Sequence, residues 1–170
     1  MDDSARTIDQ AIRATTIKTG KYLTFTLDNE EYGIGILKVK EIIGMMPITS
    51  VPRTPDFVKG IINLRGKVIP VIDLRARFNM KPIPYNERTC IIVVEIDAES
   101  ATILTGIVVD AVSEVLNIKE DKIEEPPTFG TQLDTRYILG MAKTEGGVKI
   151  LLNIDRVLAT EQIAELEQVS

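Results

Sequence analysis

Short runs in which apolar and polar residues alternate dominate this chain, and a helical spacing is found only near its end. Tyr22 to Leu27 places Leu23, Phe25 and Leu27 on one face and Thr24 and Thr26 on the other, which predicts a strand. Asp28-Asn29-Glu30 turns the chain, and Tyr32, Ile34 and Ile36 line a return strand. Leu37 to Ile43 fits either a helical turn or a strand. The most tightly written stretch is Val51 to Phe78, VPRTPDFVKGIINLRGKVIPVIDLRARF. Pro52 and Pro55 impose an extended entry, because each ring fixes its own φ and turns its predecessor away from helix. Phe57-Val58 and Ile61-Ile62 anchor and start a strand. Asn63-Leu64-Arg65-Gly66 predicts a hairpin turn, with Gly66 free to take positive φ. Lys67 to Asp73 predicts the return strand with Pro70 at an edge or bulge, and Asp73 caps a helical turn that runs to Phe78.

Asn79 to Arg88, with Pro82 and Pro84, reads as a boundary between two lobes. Beyond it, Thr89–Ile96 and Ala101–Val109 predict strands around an acidic turn at 97–100, followed by Val112–Ile118 and a charged turn or short helix over Lys119–Glu125. Tyr137–Lys143 and Val148–Asn153 form a second hairpin. Ile154 to Val169 is amphipathic, with Ile154, Val157, Leu158, Ile163 and Leu166 as its apolar set, and predicts a C-terminal helix. The expected organisation is a flexible tail over 1–21, a lobe over 22–85, a second over 86–158 and the helix over 159–170.

An internal repeat shapes this division. At an offset of 80, Gly140 falls under Gly60, Gly146 under Gly66, Leu151-Leu152 under Val71-Ile72, and Asn153 under Asp73. Upstream, Gly106-Ile107-Val108 falls under Gly35-Ile36-Leu37, and Val112, Glu114, Val115 and Leu116 fall under Val39, Glu41, Ile42 and Ile43. One unit of short strands written twice implies two similar β lobes that share an interface, with a groove between them. The repeat also places Glu145 under Arg65, a charge reversal at the hairpin tip that singles out Arg65.

Composition narrows the chemistry. The 170 residues are 44% hydrophobic and 26% charged, as in globular proteins, with a net charge of −5. The 51–78 segment runs against that balance, with Arg53, Lys59, Arg65, Lys67, Arg75 and Arg77 facing only Asp56 and Asp73. Two readings stay open: a local site for an acidic partner, or solvated turns. The chain has no histidine, which removes Ser-His-Asp and Cys-His catalysis, His-bearing metal sites and phosphorelay through histidine. Cys90 is the one cysteine, read as an inert core thiol in a reducing cytoplasm. No run of 18 apolar residues and no export signal is read, so no membrane insertion is expected. Gly60 to Lys67 imitates a phosphate loop, but its spacing is one residue too long and Val68 stands where Ser or Thr would hold Mg²⁺. Glu120, Asp121, Glu124 and Glu125 lack the spacing and glycine of a Ca²⁺ loop. Nucleic-acid binding is disfavoured by the net charge and the lack of a stacking platform. Neither cofactor nor metal is expected.

Phe57-Val58-Lys59-Gly60-Ile61-Ile62-Asn63-Leu64-Arg65-Gly66 together with Pro70-Val71-Ile72-Asp73-Leu74-Arg75 closely resembles the signature of the CheW family, and the matching pattern runs from about Tyr22 to Leu158. The resemblance implies a mainly β fold of two tandem SH3-like five-stranded β-barrel lobes, with short helical turns and a C-terminal helix. In this family the first strand can contribute to the second lobe. It also implies a non-catalytic chemotaxis adaptor, a cytoplasmic scaffold at receptor arrays beneath the inner membrane, coupling transmembrane chemoreceptors to the histidine kinase CheA. Carried over by position, the receptor-facing set is Val39, Glu41, Arg65, Gly106, Val112 and Val115. For the valines, plain core packing stands equally open. The kinase regulatory domain is expected at the lobe end faces, with no residues assigned. The alternative is a CheW-like module of a larger signalling protein, either a coupling protein with a receiver domain or the kinase itself.

Overall fold

A computed structural model describes residues 20–97, 101–126 and 135–159. Expectations for the tail before residue 20, the turn at 98–100 and the helix beyond residue 159 lie outside these. Eleven strands form two sheets. β1 (Lys21–Leu27), β2 (Glu30–Gly35), β3 (Val39–Gly44), β4 (Val58–Leu64) and β5 (Lys67–Asp73) make up the first half of the chain, β3 entered through a 3-10 turn over Ile36–Lys38. β6 (Cys90–Asp97), β7 (Thr102–Val109), β8 (Ala111–Asn117), β9 (Ile123–Glu124), β10 (Ile138–Thr144) and β11 (Gly147–Leu152) follow. The ambiguous stretch from Leu37 is thus both things in turn, a helical turn and then a strand. Short helices over Leu74–Arg77 and Ile154–Val157 close the β4–β5 and β10–β11 hairpins, capped by Asp73 and Asn153.

One sheet runs β8-β1-β2-β11-β10-β9 and the other β3-β6-β7-β5-β4. The strands cross the division at residue 85: β6 and β7 complete the sheet of β3, β4 and β5, while β1 and β2 complete the sheet of β8, β10 and β11. Each sequence repeat therefore sends its first hairpin into the other's sheet. The Asn79–Arg88 linker joins two parts of one lobe. The orders are otherwise equivalent, including a parallel pair at the same place in each, β5 with β7 and β11 with β2. β9 is the addition that gives the sheet of β1 and β2 six strands against the expected five.

The register also corrects the upstream repeat. Val71 faces Gly106 across β5 and β7, and its counterpart Leu151 faces Gly33 across β11 and β2. Gly33 rather than Gly35 is therefore the equivalent of Gly106. Both are forced by close packing: a Cβ on Gly33 would lie 2.9 Å from Leu151 Cδ2, and one on Gly106 2.8 Å from Ile91 Cγ2. Backbone bonds repeat as well, Asp73 N–H to the Phe57 carbonyl and Asn153 N–H to the Tyr137 carbonyl, both at 2.8 Å.

The core does not respect the sheets. One buried cluster takes Leu23, Phe25, Leu27 and Ile34 from the first sheet and Ile72, Ile92, Val94 and Ile107 from the second. Phe25, Tyr32, Phe78 and Tyr137 form an aromatic row through it, with successive centroids 6.0, 6.3 and 6.4 Å apart. Such contacts contribute roughly 0.5–1.5 kcal/mol each beyond burial. Arg77 lies between Phe57 and Tyr137 and donates to the Val157 carbonyl at 2.9 Å. Arg75, buried, donates to Asp110 at 2.7 Å and Asp28 at 3.3 Å, tying the helix after β5 to the turns of the other sheet.

Candidate functional site

The site grows from the tip of the β4–β5 hairpin. Leu64 pairs with Lys67, so Arg65 and Gly66 are the two central residues of the turn, with φ of 52° and 87°. Positive φ at both positions is the type I′ geometry that matches strand twist, and a non-glycine residue is uncommon there. Asn63 Oδ1 accepts the Gly66 N–H at 2.9 Å and stabilises the turn. Arg65 then reaches over β3, where its Nη1 and Nη2 donate to Glu41 Oε1 and Oε2 at 2.7 and 2.5 Å. This fork joins the hairpin tip to the opposite edge of the same sheet. Hydrogen bonding from Arg65 holds the Glu41 carboxyl below the usual carboxylate range, and the guanidinium is raised correspondingly. The Arg65 side chain is still 70% exposed, so water screens the pair and it contributes little to stability.

The other residues expected here sit differently. Val39 and Val112 are half-buried, occupy equivalent positions opposite Val94 and Phe25, and both pack against the shared core. The cluster they pack against draws on both sheets, so core packing is the role the structure gives them. Val115 is 53% exposed opposite Leu23. Gly106 is buried in mid-sheet in the same transverse row as Glu41, through Val93, and offers no surface of its own. Sequence reasoning left out Ile42, the counterpart of Val115 and 46% exposed. The signal was present, since the repeat aligns the two.

Two of the six basic residues of the 51–78 segment meet carboxylates from elsewhere in the chain. Arg65 is paired with Glu41, Arg75 with two aspartates, and Arg77 with aromatic rings and a carbonyl. The Cys90 thiol is pushed up by burial, the direction of an unreactive sulfur. Among the described residues no group of three or more His, Cys, Asp or Glu could hold a metal, and no helix is long and apolar enough to cross a membrane.

Residues 21–162 match the model of the CheW-like domain. The chain is 41% identical over 150 residues to the chemotaxis protein CheW of Klebsiella aerogenes, covering 88% of each. It is 35% identical to that of Bacillus subtilis, covering 85% of this chain and 91% of the relative. Its structure resembles the scaffolding protein TtCheW from Thermoanaerobacter tengcongensis with a TM-score of 0.75 at 40% identity, covering 84% of this chain and 94% of that one. Two interleaved lobes of repeated strand order and a family match across both of them lead to one conclusion: the chain belongs to the CheW family.

Proposed function

We propose that the protein is a non-catalytic chemotaxis adaptor that couples the cytoplasmic hairpin tip of transmembrane chemoreceptors to the regulatory domain of the histidine kinase CheA, in the cytoplasm at receptor arrays. The observation that carries this reading is family membership across residues 21–162. The geometry supports it. A helical tip laid along the seam meets the apolar flanks of Val39 and Val112, an exposed Val115 and the charged fork of Glu41 and Arg65, the helix-in-groove mode of recognition. Gly106 contributes indirectly, by letting the strands beneath Glu41 pack closely. Val68 and Val148 put the same exposed apolar residue at equivalent positions on the two hairpins, which suits a scaffold with two comparable docking faces.

Arg65→Glu tests the site. Its melting curve is expected to superimpose on that of the parent, while co-sedimentation with receptor and kinase falls. Undiminished co-sedimentation removes Arg65 from the site. A pull-down that captures neither receptor tip fragments nor the kinase regulatory domain overturns the adaptor reading itself.

A further inference from the structure

The halves of the chain on either side of residues 79–88 meet over both sheets, yet a single run of chain links them. β1 pairs with β8, β2 with β11, β3 with β6 and β5 with β7, so neither half completes a sheet alone. Phe25 and Ile72 from the first half share one buried cluster with Ile92, Ile107 and Leu152 from the second. Ion pairs cross as well, Arg75 to Asp110 and Lys38 to Asp155. A second copy of the chain carries the same complementary surfaces.

The linker has one place built to open. Met80 N–H donates to the Arg75 carbonyl at 2.7 Å, Arg75 Nε to the Lys81 carbonyl at 3.0 Å and the Tyr85 hydroxyl to Asp73 Oδ2 at 2.9 Å. These bonds fix the chain on the first half as far as Tyr85. Thr89, 6% exposed, and Cys90, where β6 begins, belong to the second half. Between them lies a turn in which Thr89 N–H donates to the Asn86 carbonyl at 3.1 Å, Asn86 N–H to Thr89 Oγ1 at 2.9 Å and Arg88 N–H to Asn86 Oδ1 at 2.8 Å. Among the described residues its hydrogen bonds are its own, and residues 86–88 are exposed. Straightening this turn preserves the strand pairs, the cluster and the ion pairs while letting them form with another chain. We propose that two copies of the protein exchange halves through the Asn86–Thr89 turn, each body combining 20–85 of one copy with 90–159 of the other. The tether holds the halves of one chain at an effective concentration of about 1 mM. Dilute chains therefore close on themselves, and crowded ones exchange. In the dimer Glu41 and Arg65 come from one copy and Gly106, Val112 and Val115 from the other, so each candidate site is shared between chains. The proposal goes beyond the adaptor reading and does not depend on it.

The test refolds the full chain from denaturant at low concentration and at about 1 mM, and reads the mass by light scattering. The dilute sample is expected to be monomeric and the concentrated one to contain a species of twice the mass. That species should persist when the native sample is diluted, because the halves part only by breaking the core they share. One mass at both concentrations overturns the proposal. So does a heavier species that falls apart at once on dilution, or that forms from native monomer without denaturant, since either is association of outer surfaces. A second arm uses Phe25→Asp and Ile107→Asp, one in each half and both at fully buried positions. A body assembled from the unaltered half of each variant carries neither substitution. Refolded together at about 1 mM, the pair should show a melting transition at the parental temperature that neither variant shows alone, with at most half the parental amplitude. Absence of that transition overturns the proposal, whether or not the single variants fold.

Discussion

Arg65 combines a left-handed backbone, a bidentate carboxylate partner and wide exposure, and each has its own consequence. The turn could be built with Asn-Gly alone, so the long side chain is not there for the turn. Glu114 is the counterpart of Glu41, and Glu145 the counterpart of Arg65. The second lobe thus sets two carboxylates where the first sets an ion pair, and its left-handed residue is Gly147 instead. The charge reversal visible in the sequence marks an ionic fork, which alignment alone could not reveal because Glu41 is distant along the chain. Exchanging the charges, Glu41→Arg with Arg65→Glu, should restore the fork without restoring partner capture. Recovery of co-sedimentation in the exchanged variant would assign Arg65 a purely internal role. Asp155 offers a second test. Its Oδ1 accepts from the Asp97 N–H at 2.7 Å and lies 3.0 Å from Lys38 Nζ, while its Oδ2 is buried with no partner. Burial raises its pKa, an effect only partly offset by the Asp97 N–H and Lys38. The folded state therefore holds this proton more tightly than the unfolded chain. That advantage is present at low pH and is lost as pH rises from the ordinary carboxylate range through the raised value. The melting temperature of the parent minus that of Asp155→Asn should decline across that window. A difference that grows with pH would contradict the burial argument.

At the scale of elements, the hairpins were readable and their covering was not. Turn residues, the Asp73 cap and the β-branched runs have local causes, so β4, β5, β10 and β11 appear where the pattern puts them. The alternation sets Thr24 and Thr26 on the face of β1 opposite Leu23, Phe25 and Leu27, and Thr24 there is fully buried, its hydroxyl donating to the Glu114 carbonyl at 2.9 Å. Both faces of β1 are covered, Leu23, Phe25 and Leu27 by the core that both sheets share and Tyr22 by Ile118, Leu139 and Leu151, contacts between distant segments that no local alternation encodes. The glycines divide in the same way. A Cβ on Gly60, where φ is 144°, would lie 2.0 Å from the Thr49 carbonyl oxygen, whereas one on Gly66 would meet nothing within 4 Å. Gly60→Ala should therefore cost several kcal/mol, about 3 or more. Gly106→Ala should cost about 1–3 kcal/mol through overpacking against Ile91. Chemical denaturation measures both, and a near-neutral Gly60→Ala would refute the close approach.

For the whole molecule, duplication was legible in the residues, whereas of the exchange only a contribution of the first strand was expected, and that from the family resemblance. Similar units are seen by aligning residues, but which unit a strand joins depends on pairings between distant segments. Pro82 and Pro84 suggested a border over 79–88, and that stretch joins β5 to β6, two strands of one sheet. A cut at residue 85 would leave each half with strands from both sheets and a share of the core cluster that both sheets build. Fragments 20–85 and 86–159 should each remain unfolded when expressed alone and recover strand signal in circular dichroism only when mixed. A cooperative melt from either fragment would show that its repeat can close on itself.

The same interleaving sets a timetable for biosynthesis. The first hairpin leaves the ribosome with neither of its lateral neighbours yet made, since β8 and β11 are translated well after it. At roughly 5–20 residues per second the wait lasts several seconds. Nascent chains must keep Leu23, Phe25 and Ile34 from premature association throughout that interval, so yield in the cell should respond to chaperone supply more than to the stability of the finished protein.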